Sequence, residues 1–477
     1  MGLILKLALR TIGRRKGRMA LIGGLVAFGT FLVVFGTTLA TSAAAASREA
    51  IVRNFTGDFI LYAERSRDIP SPFAFNTPLP AIPNLDSLEA ALGGLPDVES
   101  WTAYAQNYGL IQVEREGRKL DLPFIFYAVE PSSFGKVFEN VSLAEGSFFG
   151  ARAEGKATPI ADPAAAEKGV AISLFQNEQY LKNYGVSLEP GEQVTLLGIT
   201  EGGVNSLRSR LVGTFEPRKY KSVFNYINFM DSASYATLYG FSGVEALPDS
   251  FNAGLAAAAG NEDAIFGLAE ADFGSLDLGS LVAAPLSGAT MVAVRLKEGA
   301  DVDAVMAAAL AKPGLGVKAA RWDAASGFYA QIASALQAFI YVATALVFLV
   351  VALIFMNTLI INVVERTGEI GTMRALGSER SFVSGLFLAE ALILNLGSAL
   401  VAMILAGGAI LAFGKGGLPL PETVSQFLIG GGPLALRAGV LPFIQAFAVV
   451  LLVSVLATIW PVRVATAITP LKAMSDR

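Results

Sequence analysis

Residues Ala324–Val364 run for 41 positions without a single Asp, Glu, Lys or Arg. A helix needs about 20 residues to cross a hydrocarbon core of ~30 Å. An aqueous fold has no use for so long a charge-free run, so the chain is expected to enter a membrane. Three more segments meet the same test. Met19–Ser47 and Ala438–Val462 carry no charge, and Ser381–Gly414 carries only Glu390. The sequence therefore predicts four transmembrane helices over 19–47, 324–364, 381–414 and 438–462. The second run is about twice the required length, and its helix is expected to continue beyond the membrane on the side of the soluble residues.

Charged residues make up 16% of the chain, against about 25% in soluble domains, but the deficit is confined to these runs. Between Arg48 and Asp323 charge is ordinary, which predicts a large folded domain inserted between the first two spans. The fold class is thus an α-helical membrane domain of four transmembrane helices with a large α+β extracytoplasmic domain between helices 1 and 2. With no Cys and no His, disulfides, thiolate or imidazole metal sites, Cys nucleophiles and His bases are excluded.

Residues 1–18 hold six basic and no acidic side chains, whereas 19–330 hold 34 acidic and 22 basic, a net of −12. The positive-inside rule then places the N-terminus in the cytoplasm. It follows that 48–323 lie outside, 365–380 inside, the 415–437 loop outside and the 463–477 tail inside. Residues 1–18 also read as a basic amphipathic helix along the inner leaflet; the plainer reading is a topogenic charge cluster. The first run is too long for the 7–15-residue apolar core of a signal peptide, which favours an uncleaved span.

Within 48–323, Phe59–Tyr62, Leu110–Val113, Leu122–Val129, Gln193–Leu197 and Met291–Leu296 read as strands, with a hairpin turn at Gly117. Val170–Tyr184 and Val302–Leu310 read as helices. Two lobes are expected, 48–140 with 288–323 and an inserted 141–287 that includes the small-residue stretch Leu255–Gly260. The carboxylates are scattered and read as a solvated surface. Gly150 to Ala157 nearly spells a phosphate loop, but Ala157 stands where a Mg²⁺-binding hydroxyl is required. The chain is expected to be non-catalytic, with no cofactor or metal of its own and no nucleic-acid partner.

Between the second and third runs lies Glu365–Arg380, ERTGEIGTMRALGSER. Helical spacing clusters Glu365, Arg366 and Glu369. Ile370, Met373 and Leu376 form a stripe at i, i+3 steps, and Gly377 is placed as a C-cap. Such a helix is suited to docking in a partner's groove; the bland alternative is an ordinary loop between spans.

The segment resembles the coupling helix of the FtsX/MacB/LolC-LolE type of ABC transporter permease. Glu365, Arg366, Glu369, Ile370, Gly371, Arg374, Ala375, Leu376 and Gly377 fit its pattern, with Ser378 replacing a usual Ala. Phe387–Leu392, FLAEAL, and the set Pro461, Arg463, Ala465, Pro470 and Ala473 also match. Looser likenesses lie at Ala8–Lys16, Gly169–Ser173 and Pro190–Glu192. The resemblance implies a subunit paired with a second permease copy or paralogue and with ABC ATPase subunits, which would bind the ATP and Mg. On this resemblance Glu365, Arg366, Glu369, Ile370, Met373, Arg374, Leu376 and Gly377 are the ATPase-coupling residues.

An ionisable group within a span costs about 2.5–3.5 kcal/mol on insertion scales and faces protein or water. Glu390 is therefore expected to anchor the coupling segment, about ten residues beyond Arg380; the alternative is a snorkelling carboxylate. Three family functions compete: release of lipoproteins or lipids from the inner membrane, efflux through a periplasmic adaptor, and mechanotransmission to a cell-wall hydrolase. The long inserted domain and the absence of a fused ATPase resemble the lipoprotein-releasing type best. Phe28, Phe31, Phe35, Phe339 and Phe348 are then candidates for a lipid or cargo cavity; ordinary helix packing is the alternative for each.

Overall fold

The computed structural model of the protein describes residues 6, 8, 10, 16–72, 79–115, 117–152, 157–200, 203–244, 283–285 and 287–467. Most of the basic 1–18 segment, positions 153–156 of the phosphate-loop likeness, Leu255–Gly260, Pro470 and Ala473 lie outside the described residues. The chain divides into a helical unit, Met1–Ser47 with Gln331–Arg477, and a β-rich unit, Arg48–Ala330.

Among the described residues, four helices are long and apolar enough to cross a membrane. They are Lys16–Ile51, Phe328–Glu365, Arg380–Gly416 and Leu441–Ala467, called here the first to fourth spans. The second begins four residues later than its charge-free run. Trp322–Ala325 forms a separate turn, and Gly327, at φ +55°, breaks the backbone before Phe328. The fourth continues through Pro461, beyond the expected end at Val462.

Small residues let the first span approach its neighbours. A Cβ on Gly29 would stand 3.1 Å from a Val351 methyl of the second span, and one on Gly23 2.7 Å from Ser398 Oγ of the third. The third and fourth spans share a polar contact, Asn395 Nδ2 donating to Ser454 Oγ at 2.8 Å. Between them the 415–437 loop contains a short helix, Glu422–Ile429.

The β-rich unit is built on twelve strands: β1 (Phe59–Ala63), β2 (Val98–Arg115), β3 (Arg118–Val129), β4 (Val141–Gly146), β5 (Val170–Ser173), β6 (Gln193–Thr200), β7 (Gly203–Pro217), β8 (Ile227–Asp231), β9 (Ser242–Val244), β10 (Ala283–Pro285), β11 (Met291–Leu296) and β12 (Val317–Arg321). β2 and β3 form the expected hairpin, turning at Gly117 with φ +73°. The pairs β2–β3, β3–β8, β8–β5, β5–β7, β7–β6 and β6–β2 close a barrel. Phe124, Phe126, Ile172, Leu196, Leu211 and Met230 belong to its buried core.

The 18-residue β2 outruns the barrel. Its first half pairs with β11 and its second half with β6. β1 joins β11 to β12, and the helices Leu85–Gly93 and Val302–Leu310 pack on this extension. In place of the expected lobe division at 141 there is one sheet that continues across that position. Val170–Ser173, read as helical from its sequence, is a strand. All four residues are buried between β7 and β8, and an apolar run that short carries no period to separate strand from helix.

Candidate functional site

The polar segment between the second and third spans folds as the helix Thr367–Ala375. Its end is built by three consecutive residues. Ser378 N–H donates to the Met373 carbonyl (3.1 Å), Gly377 N–H to Arg374 (3.1 Å) and Leu376 N–H to Thr372 (3.0 Å). Gly377 has φ +93°. This is the Schellman arrangement, in which a left-handed glycine satisfies carbonyls that the helix end leaves open. The chain then re-enters a helix at Arg380 with Glu379 as N-cap residue.

At the opposite end, Arg366 turns its guanidinium inward. Nη1 donates to both Glu390 oxygens at 2.9 and 3.0 Å, and Nε donates to Glu369 at 2.8 Å. The cation also lies 5.4 Å from the Phe387 ring centre, within cation–π range. Arg366 and Glu390 are each only 7% exposed. Burial opposes the charge on Arg366, but the Glu390 and Glu369 carboxylates outweigh it and hold its pKa above the ordinary arginine value. A buried charge is tolerated when it is paired and hydrogen-bonded, and one guanidinium here meets both the helix Thr367–Ala375 and the third span. Glu390 was expected near Arg380; its partner is Arg366, reached because the third span folds back beside the end of the second.

Arg374 supplies a second tie. Its Nη1 donates to the Thr466 carbonyl at 2.9 Å, in the last turn of the fourth span, where a cation meets the negative end of the helix dipole. An apolar cluster completes the joint: Val363, Ile370, Val383 and Phe387 are buried, with Met373, Val462 and Val464 packed on them.

These contacts divide the expected coupling residues into two groups. Ile370 is fully buried and Met373 partly so, which corrects the expectation that Ile370, Met373 and Leu376 present one docking stripe. Two of the three face the chain's own spans. Leu376 is 88% exposed, and Glu365, Glu369 and Gly377 are exposed as well. Hydropathy alone could not have separated Ile370 from Leu376; the buried charge of Glu390, which demands a cationic partner nearby, was the usable signal.

The five phenylalanines are also divided. Phe348 is buried, and Phe31 and Phe35 stack at 5.6 Å against the same helical core. Phe28 and Phe339 are 60% and 67% exposed.

Among the described residues, four membrane-length helices are present, with a short polar helix clamped between the second and third. Residues 341–470 match the family FtsX-like permease C-terminal, consistent with the FtsX/MacB/LolC type of ABC permease. Over that segment, about a quarter of the chain, the sequence is similar to FtsX-like permeases, a family that implies an ABC ATPase partner. No curated protein matches the chain.

Proposed function

We propose that the chain is the permease subunit of an ABC transporter that extracts lipoproteins or lipids from the bacterial inner membrane. The observation that carries the reading is the buried Arg366, which joins Glu369 on the coupling helix to Glu390 on the third span. A push on the exposed tip around Leu376 would be passed to the third span through the ion pair and to the fourth through Arg374. ATP and Mg belong to the partner ATPase, whose closure supplies that push. A second permease copy completes the assembly, because four spans are too few to enclose a pathway.

In this reading the coupling helix and both termini are cytoplasmic, in keeping with the basic N-terminus. The β-rich unit, Arg48–Ala330, is periplasmic and moves with the spans. Phe28 and Phe339, exposed on the first and second spans, offer aromatic surface to acyl chains; Phe31, Phe35 and Phe348 support the helices behind them.

The test is to purify the tagged chain in nanodiscs with its ATPase crippled for hydrolysis and to identify what accompanies it by mass spectrometry. Acylated lipoproteins or a defined lipid are the expected companions. Recovery of a periplasmic adaptor or a peptidoglycan hydrolase in their place would overturn the cargo assignment and make the chain an efflux permease or a mechanotransmitter.

A further inference from the structure

The β-rich unit contains a cavity of about 690 Å³, within the ~300–1,000 Å³ typical of small-molecule sites. It exists because the strands and helices around it present small side chains. Trp101, Ala103 and Ala105 alternate along one face of β2, and Ala128 of β3 stands directly opposite Ala105. Ala236, on the helix Ser232–Leu238, and Ala289 complete an apolar floor. Larger residues at these five alanines would fill the space.

The walls have the opposite character. Asp86 and Glu89 enter from the helix Leu85–Gly93, Glu130 from the end of β3, and Glu99 from β2. Glu99 is matched by Arg295 at 3.4 Å. The other three carboxylates face one lining cation, Lys136, and none forms an ion pair among the described residues. Glu130 is oriented by the hydroxyls of Ser132 and Ser232, which donate to its two oxygens at 3.2 and 2.9 Å. Burial, followed by the neighbouring Glu130 and Asp86, raises the Glu89 pKa, as expected of a partly desolvated carboxylate among like charges. Trp101 lines the cavity with Glu89 and acts on it in the opposite sense, to lower its pKa.

An apolar floor, an indole wall and three carboxylates against a single lysine are complementary to one kind of molecule. We propose that this cavity binds an organic amine with an apolar body, its ammonium group seated between Glu89 and Glu130 and its body on the alanine floor beside Trp101. A neutral ligand would leave the excess of carboxylates unmatched, and an anion would be repelled. A bare metal ion would gain nothing from the floor. The amine gains charge-assisted hydrogen bonds and the face of the tryptophan.

Trp101, Trp322 and Trp460 are the only tryptophans. In the full chain in nanodiscs, Trp322→Phe and Trp460→Phe leave Trp101 as the sole reporter. Titration with 4-phenylbutylamine is expected to change its emission saturably, whereas 4-phenylbutanol, of equal shape without the charge, does not. Glu89→Gln and Glu130→Gln keep side-chain volume and a hydrogen-bond acceptor, and each is expected to weaken amine binding at least tenfold. Glu298→Gln, at an exposed position away from the cavity, leaves it unchanged. Equal responses to amine and alcohol, no saturable response to the amine, or wild-type affinity in both cavity variants would overturn the assignment.

Discussion

Arg366 and Glu390 are 24 residues apart in sequence and 2.9 Å apart in space. The segment between them holds the helix Thr367–Ala375, the proposed coupling helix. Because both side chains are buried, the pair acts as a joint. Removing one charge leaves the other desolvated without a partner, at a cost of about 3–5 kcal/mol. Glu390→Gln is therefore expected to loosen the coupling helix. ATPase association should weaken and transport-linked ATP hydrolysis fall, while insertion of all four spans persists. Paired measurement of membrane yield and hydrolysis in the reconstituted complex checks this; wild-type hydrolysis with Glu390→Gln would remove the joint from the mechanism.

The exposed face makes the opposite prediction. Leu376 is 88% exposed, so Leu376→Asp should change the stability of the isolated permease by no more than about 0.5 kcal/mol. If the tip enters an ATPase groove, a buried carboxylate there opposes docking, and co-purification of the ATPase should drop at least tenfold. Ile370→Ala is the contrast. It empties a buried position and should cost about 2–5 kcal/mol of stability, read as a lower melting temperature in detergent.

Much of this arrangement was legible in the sequence, and the reasons differ by element. The spans were marked by charge-free length, a signal that burial and packing do not modify. The C-cap at Gly377 was marked by the break in the helical pattern. The hairpin β2–β3 was marked by two β-rich runs flanking a turn at Gly117. The barrel was not legible, because its closure depends on β6 pairing with β2 across more than 80 residues and no local pattern encodes that. The inward turn of Ile370 was hidden for a related reason. Its burial is decided by Val383, Phe387 and Val462, which approach only when the third and fourth spans fold back.

Gly377 separates backbone conformation from packing. Its φ is +93°, and an added Cβ would meet no atom within 4 Å. Any penalty of Gly377→Ala is therefore conformational, about 1–2 kcal/mol. Gly368 lies inside the helix Thr367–Ala375, also in open space, and Gly368→Ala should stabilise it by roughly 0.5–1 kcal/mol. The two variants should shift the melting temperature of the permease in opposite directions. Equal shifts would mean that the Schellman turn does not form in the membrane.

The β-rich unit should be sensitive to alkali. Burial raises the pKa of Tyr104, Tyr127, Tyr235 and Tyr239, and among the causes for Tyr127 and Tyr239 the neighbouring phenols Tyr104 and Tyr235 add to it. Their hydroxyls are committed in the neutral form. Tyr239 donates to the Tyr108 carbonyl at 2.7 Å and Tyr235 to that of Gln106 at 3.3 Å. The unfolded chain releases these protons near pH ~10, whereas the folded chain holds them to higher pH. Stability from these groups is therefore fully present below the unfolded value and is lost as pH rises above it. Followed from pH 8 to 12, near-ultraviolet circular dichroism should be lost in one cooperative step above about pH 10, and the phenolate of the four buried tyrosines should appear in that same step. Tyr239→Phe removes one of these protons and should shift that step to higher pH. Phenolate absorbance accounting for all 12 tyrosines before the loss of tertiary structure would show that the buried four titrate within the fold, contrary to their burial.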